Sequence, residues 1–159
     1  MRMGEGVEWG LHCCLTLAWI DADRPVPTAR LATWFDLPPA YLNKRLQALV
    51  RAGVLSSTPG PKGGFRLGRR PEQITLMDVV TALEGPDDVF RCTEIRRRGE
   101  GGGALPREFA RPCGVATAVR RAELAWRREL ADQTVADLMA SAPPGAAERA
   151  RRHYARMTG

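Results

Sequence analysis

Tyr41–Leu55 reads YLNKRLQALVRAGVL, and Ser57–Phe65 then reads STPGPKGGF. Apolar residues at Leu42, Leu46, Leu49 and Val50 recur at helical spacing, so a helix from about Pro39 to Ala52 buries one face. Gly53 is suited to stop it, because a helix C-terminus favours a residue that tolerates left-handed backbone. Two short strands, Val54–Thr58 and Phe65–Leu67, then flank a Gly/Pro-rich tip carrying Lys62. A helix followed at once by a small basic hairpin is what a winged helix-turn-helix requires. The helix suits the DNA major groove, and the hairpin suits the backbone or minor groove. The predicted fold class is mainly α with a small β-wing: a winged helix-turn-helix domain plus a long dimerisation helix.

The flanking segments agree with that frame. Glu8–Ile20 has apolar positions at helical spacing, and Pro25 and Pro27 close it off. Thr28 is placed to cap a second helix, Ala29–Phe35, and Asp36–Pro39 makes the turn into the third. Thr75 caps a fourth helix, Leu76–Leu83, ended by Glu84-Gly85-Pro86. Phe90–Pro112 reads as irregular, with an arginine run at Arg96–Arg98 and glycines at Gly101–Gly103. Gly114–Leu130 is a long helix with Val115, Val119, Ala122 and Trp126 on one stripe, which suits packing against a partner. Thr134 caps a short helix, Val135–Ala140. The tail after Pro143 is polar and basic and reads as a frayed helix with a solvated His153. The expected divisions are 1–86 for DNA binding, 87–113 for a ligand-binding loop, 114–142 for dimerisation and 143–159 for the tail.

The 159 residues carry a net charge of +6, almost all of the excess from arginine, and 44% are hydrophobic. Arginine favours bidentate contacts to phosphate and guanine, so double-stranded DNA is the expected partner. On the outward face of the third helix, Tyr41, Lys44, Arg45 and Gln47 are the expected contacts. Thr28 and Arg30 are expected at the DNA backbone, and Lys62 and Arg66 from the wing. The bland alternative for each is an ordinary solvated side chain. No apolar run approaches the roughly 18–20 residues needed to span a membrane. Glu8 and His12 interrupt the apolar stretch within Met1–Ile20, so it does not read as a signal peptide, and a cytoplasmic location is expected.

Glu8 and His12 are one helical turn apart and share a face, close enough to meet one metal centre or to form a solvated polar stripe. Cys92 and Cys113 flank the arginine-rich loop. Thiolates there suit iron, and a disulfide or two unrelated cysteines are the alternatives. Cys13 and Cys14 are adjacent on a helix, about 100° apart, and read as small core residues. No phosphate loop or oxyanion motif accompanies the Cys and His residues, so an enzyme is not expected.

In combination these runs resemble the Rrf family of bacterial winged-helix regulators, the IscR/NsrR/RsrR group. The markers are YLNKRLQALVRAGVL, GPKGGFRL, ITLMDVVTALEGP, the Cys-headed helix CGVATAVRRAELAW, and TVADL. VEWGLHCC at Val7–Cys14 and RCTEIRRRG at Arg91–Gly99 are similar to the RsrR-like branch. The resemblance implies a homodimer crossed through the long helix and a palindromic or near-palindromic operator. Many members carry three cysteines in a short loop, and this chain departs from that pattern, with Cys92 and Cys113 alone in the region. The RsrR-like branch instead implies a [2Fe–2S] cluster between subunits. Carried over, its ligands are Glu8 and His12 of one subunit with Cys92 and Cys113 of the other. A redox sensor is the implied function, with a cluster-free regulator using a Cys92–Cys113 disulfide or a small effector as the alternative.

Overall fold

The computed structural model describes residues 3–21, 23–99 and 106–158. Two compact units are present, one built from 2–86 with 130–159 and one from 87–129. In the larger unit, α1 (Glu5–Ile20), α2 (Thr28–Phe35) and α3 (Pro39–Arg51) precede a hairpin of β1 (Leu55–Thr58) and β2 (Gly64–Leu67). Then come α4 (Leu76–Glu84), α6 (Val135–Ser141) and α7 (Ala146–Thr158), with α5 (Gly114–Ala131) lying in the smaller unit up to Glu129.

The core forms where the apolar periodicities converge. Cys13, Cys14, Leu42, Leu46, Leu49, Val54, Ile74, Val79 and Val135 are fully enclosed. Leu42, Leu46 and Leu49 turn inward from α3 as their spacing requires, whereas Val50 is only half-buried. The α3 C-terminus is a Schellman turn. Gly53, at φ +70°, donates to the Val50 carbonyl at 2.9 Å, and Val54 donates to that of Leu49 at 3.0 Å. The chain is thereby turned directly into β1.

β1 and β2 are antiparallel, with Ser56 opposite Arg66 and Leu55 opposite Leu67. Val26 adds a third, one-residue strand by exchanging both backbone bonds with Phe65 at 2.8 and 2.9 Å. The wing is therefore stitched to the segment just before α2.

Thr75 and Thr134 each form a capping box, with Asp78 and Asp137 respectively. The two caps also lie side by side. Leu76 donates to Gln133 and Val135 to Ile74, both at 2.9 Å. Thr28 does not cap α2. Pro27 occupies that position and Thr28 is the first helical residue, which frees its hydroxyl for another partner. The tail departs from its expected frayed state. Ala146, Ala150, Tyr154 and Met157 align on one face of a formed α7, which packs on α1. Alanines let the two helices approach without a strongly apolar sequence.

In the smaller unit, Glu123 is buried on α5. It accepts from Arg127 at 2.8 Å and from the Val89 backbone at 3.2 Å, tying 87–90 to the helix. Arg127 also donates to the Asp87 carbonyl at 2.9 Å. The described part of Phe90–Pro112 has no strand or α-helix, and short 3-10 turns stand at Ile95–Arg97 and Pro106–Phe109. Gly101–Gly103 lie outside the described residues. No described helix is long and apolar enough to cross a membrane.

Candidate nucleic-acid interface and thiol site

The surface of α3 opposite its leucines is open to solvent. Asn43 and Lys44 are exposed there, and Gln47 is half-buried one turn from Asn43. Thr28 Oγ1 donates to Asn43 Oδ1 at 3.1 Å, so the first turn of α2 is fastened to the middle of α3. Sequence periodicity did not single out Asn43, although it shares a helix face with Gln47 at i, i+4. Its amide is a group that can read adenine in a major groove. Lys62 stands exposed in the hairpin connection, and Arg66 is exposed on β2.

Three expected contacts are arranged differently from open cations. Tyr41 is 41% exposed, its ring edge-on to Trp9 at 5.4 Å. Arg45 stacks over that ring at 4.8 Å, donates to the Tyr41 hydroxyl, and donates to the Leu83 carbonyl at 3.4 Å. Its Nε is buried without a hydrogen-bond partner among the described residues. Gly6 makes this possible, since a Cβ there would lie 2.8 Å from Arg45 Nε. Arg45 is thus a half-buried strut joining α3 to α1 and the end of α4. Arg30 donates to the Met157 carbonyl in the last turn of α7, where the helix dipole favours a cation.

In the smaller unit, Cys92 is exposed and Cys113 half-buried, immediately before α5. Hydrogen bonds from the Ala116 and Val115 backbone N–H groups, together with the charge of Arg96, hold the Cys113 thiol below its ordinary value. Arg96 lies within electrostatic reach of both Cys92 and Cys113, and Glu94 holds it with two bonds at 2.5 and 2.9 Å. Both Arg96 and Arg97 stack on Phe109. An open cavity of about 650 Å³ next to this cluster is lined by Phe90, Cys92, Pro112, Arg120 and Leu124.

In the larger unit, Glu8 and His12 are exposed on α1 and line an otherwise largely apolar cavity of about 450 Å³ with Val7, Leu11, Leu15 and Leu138. The imidazole lies 5.8 Å from the Phe35 ring. Cys13 and Cys14, by contrast, are enclosed. Burial pushes the Cys13 thiol up to about 12 and Cys14 higher still, so neither is a ready nucleophile. Among the described residues, no three His, Cys, Asp or Glu side chains of one chain converge on a point. On α5, Val115 is 63% and Val119 36% exposed, Ala122 is exposed and Trp126 is half-buried.

The family model described as "Rrf2: Iron-dependent Transcriptional regulator" matches residues 3–141. The chain belongs to the Rrf2 family. It is a DNA-binding transcriptional regulator of that family and not an enzyme. The protein rrf2 of Nitratidesulfovibrio vulgaris is 30% identical over 142 residues, covering 89% of each chain. The HTH-type transcriptional regulator IscR of Aliivibrio salmonicida is 28% identical over 92 residues, 58% of this chain and 55% of that protein. The structure of CymR, the global cysteine regulator of B. subtilis, superposes with a TM-score of 0.66 at 24% identity, over 90% of this chain and 99% of that one. That likeness supports the winged-helix fold. The Rrf2 match stops short of α7.

Proposed function

We propose that this Rrf2 regulator is a homodimer that binds a palindromic or near-palindromic operator and responds to redox state through a [2Fe–2S] cluster. The ligands would be Glu8 and His12 of one protomer with Cys92 and Cys113 of the other. The observation that carries the proposal is the placement of the two donor pairs. Each pair is accessible within its own unit, and neither pair is complete by itself. The donor chemistry fits such a group. Cys113 is predisposed to the thiolate that iron requires, and Glu8 and His12 sit one turn apart on α1, both exposed. When bound, a cluster with imidazole ligation supplies a one-electron couple at raised potential.

The chain's own residues supply the link to DNA. Glu8 and His12 lie about 200° around α1 from Gly6 and Gly10 respectively, and those two glycines admit the neighbouring helices. A Cβ at Gly10 would meet Leu83 at 2.6 Å and Leu49 of α3 at 3.6 Å, and Gly6 seats Arg45 of α3. A force on the outer face of α1 therefore reaches the recognition helix through direct packing. Two recognition helices in a dimer must match about one DNA turn, so a small tilt changes affinity. A differential of about 1–3 kcal/mol between the two redox states is enough to act as a switch. DNA contact is assigned to Lys44 and Gln47 with Asn43, Thr28 at the backbone, and Lys62 and Arg66 from the wing. Tyr41, Arg45 and Arg30 act at the edge of that surface.

Anaerobic purification followed by iron and sulfide assays and EPR tests the proposal. Two irons and two sulfides per site, with an EPR signal on one-electron reduction, are expected, and E8A and H12A should each lower the retained iron. A colourless protein after cluster reconstitution refutes it. A second reading, a Cys92–Cys113 disulfide switch, is favoured by the proximity of both thiols to Arg96. A thiol count before and after mild oxidation distinguishes it.

A further inference from the structure

We propose that α7 is a third DNA-contacting element, laying Arg152 and Arg156 against the phosphate backbone beside the recognition helix. The inference rests on the DNA-contact reading of α3 and the wing, and it concerns a segment beyond the Rrf2 match.

The placement follows from a chain of contacts within the larger unit. Asn43 on the open face of α3 is bonded to Thr28 at the start of α2. Two residues on, Arg30 is bonded to the Met157 carbonyl at the end of α7. Four residues further along α2, Trp34 packs edge-on to His153 at 4.5 Å. Successive contacts at 30 with 157 and at 34 with 153 make α7 antiparallel to α2, with its C-terminal end beside the DNA-facing end of α2. Arg151 anchors the other flank by donating to the Trp19 carbonyl at 3.3 Å.

Arg149, Arg152 and Arg156 fall at i, i+3 and i+7, so they share one face, and all three are exposed. They border a shallow groove with Trp19 and Trp34. At 1.5 Å per residue, Arg152 stands about 6 Å from Arg156 along the helix axis. That is close to the roughly 7 Å between successive phosphates on one DNA strand. Arg149 is turned back to the Pro144 carbonyl at the far end. Arg152 is paired with Glu148, the only acidic residue of α7, and Arg156 has no bonded partner among the described residues. Four arginines against one glutamate give α7 a strongly positive surface beside α2, the helix fastened to the recognition helix by Thr28 and Asn43. Positive side chains there neutralise phosphates without reading sequence.

The test uses the full chain and a fluorescein-labelled mixed-sequence duplex of about 30 base pairs, titrated by anisotropy between about 50 and 200 mM salt. R152A/R156A should lower the slope of log K against log salt by about 2 for each protomer bound, since each lost phosphate contact removes about 0.9. Alanine is the better helix former, so α7 stays formed, and helicity measured on the same samples checks this. R152K/R156K should restore the slope. An unchanged slope in the alanine pair overturns the inference, as does tighter binding, which would make α7 a restraint, or failure of the lysine pair to restore. Wild-type protein that ignores the duplex at about 50 mM salt would overturn the DNA-contact reading itself, and this inference with it.

Discussion

Val115→Ser/Val119→Ser separates the proposed dimer from the fold. Val115 is 63% and Val119 36% exposed, so together they leave about one valine side chain uncovered. Burying such a side chain stabilises by roughly 1.5–3 kcal/mol. A two-fold interface uses each contact twice, which makes the loss about 3–6 kcal/mol per dimer. At about 1.4 kcal/mol per decade, the dimer dissociation constant should rise by roughly 10²–10⁴-fold. Serine and valine have similar helix propensity, so α5 stays formed. Sedimentation velocity across a concentration series measures the constant, and far-UV circular dichroism shows that helicity is kept. An unchanged constant with intact helicity would refute the assignment of this stripe to the dimer. A monomeric wild-type protein would remove the premise.

Further expectations concern the wing, a cap and an acid-sensitive pair. Lys62→Ala should weaken binding to all duplexes alike and flatten the salt slope by about 1 for each protomer bound, and an unchanged slope would take the wing tip off the phosphate backbone. Thr75→Ala removes a capping-box hydroxyl that accepts from Asp78 N–H at 3.0 Å, and should cost about 1 kcal/mol in urea unfolding. Asp137 is held below the usual carboxylate range by hydrogen bonds from the Thr134 hydroxyl and backbone. Its folded value is depressed, so its contribution is present above the unfolded value near about 3.9 and is lost as pH falls through the folded one. Wild type should therefore lose stability more steeply than Asp137→Asn below about pH 4. Parallel curves for the two proteins would contradict that assignment.

The parts of the fold legible in the sequence are those in which one segment determines its own geometry. Leu42, Leu46 and Leu49 define the buried face of α3 by spacing alone, Gly53 ends it, and Thr75 and Thr134 announce caps because their partners lie three residues on. What periodicity does not show is which neighbour lies over a given face. Arg45 belongs by spacing with Lys44 on the outer side of α3, yet it is half-buried because Gly6, on a different helix, leaves room for its guanidinium. Glu123, a charged residue of α5, is buried because Arg127 and the Val89 N–H satisfy it. The α7 segment reads as a solvated tail because its packing face is largely alanine, whose burial contributes little to a hydropathy pattern but allows close helix contact. Each case turns on a small or charged residue whose role depends on another segment. The same dependence governs the candidate redox site. Glu8 and His12 are legible as a pair because one helix holds both, and Cys92 and Cys113 because one unit does. In the proposed site the two pairs come from different protomers, which would make it a property of the dimer rather than of the chain. Dimerisation through α5 and cluster retention should consequently fail together: V115S/V119S should lose iron although every proposed ligand is intact.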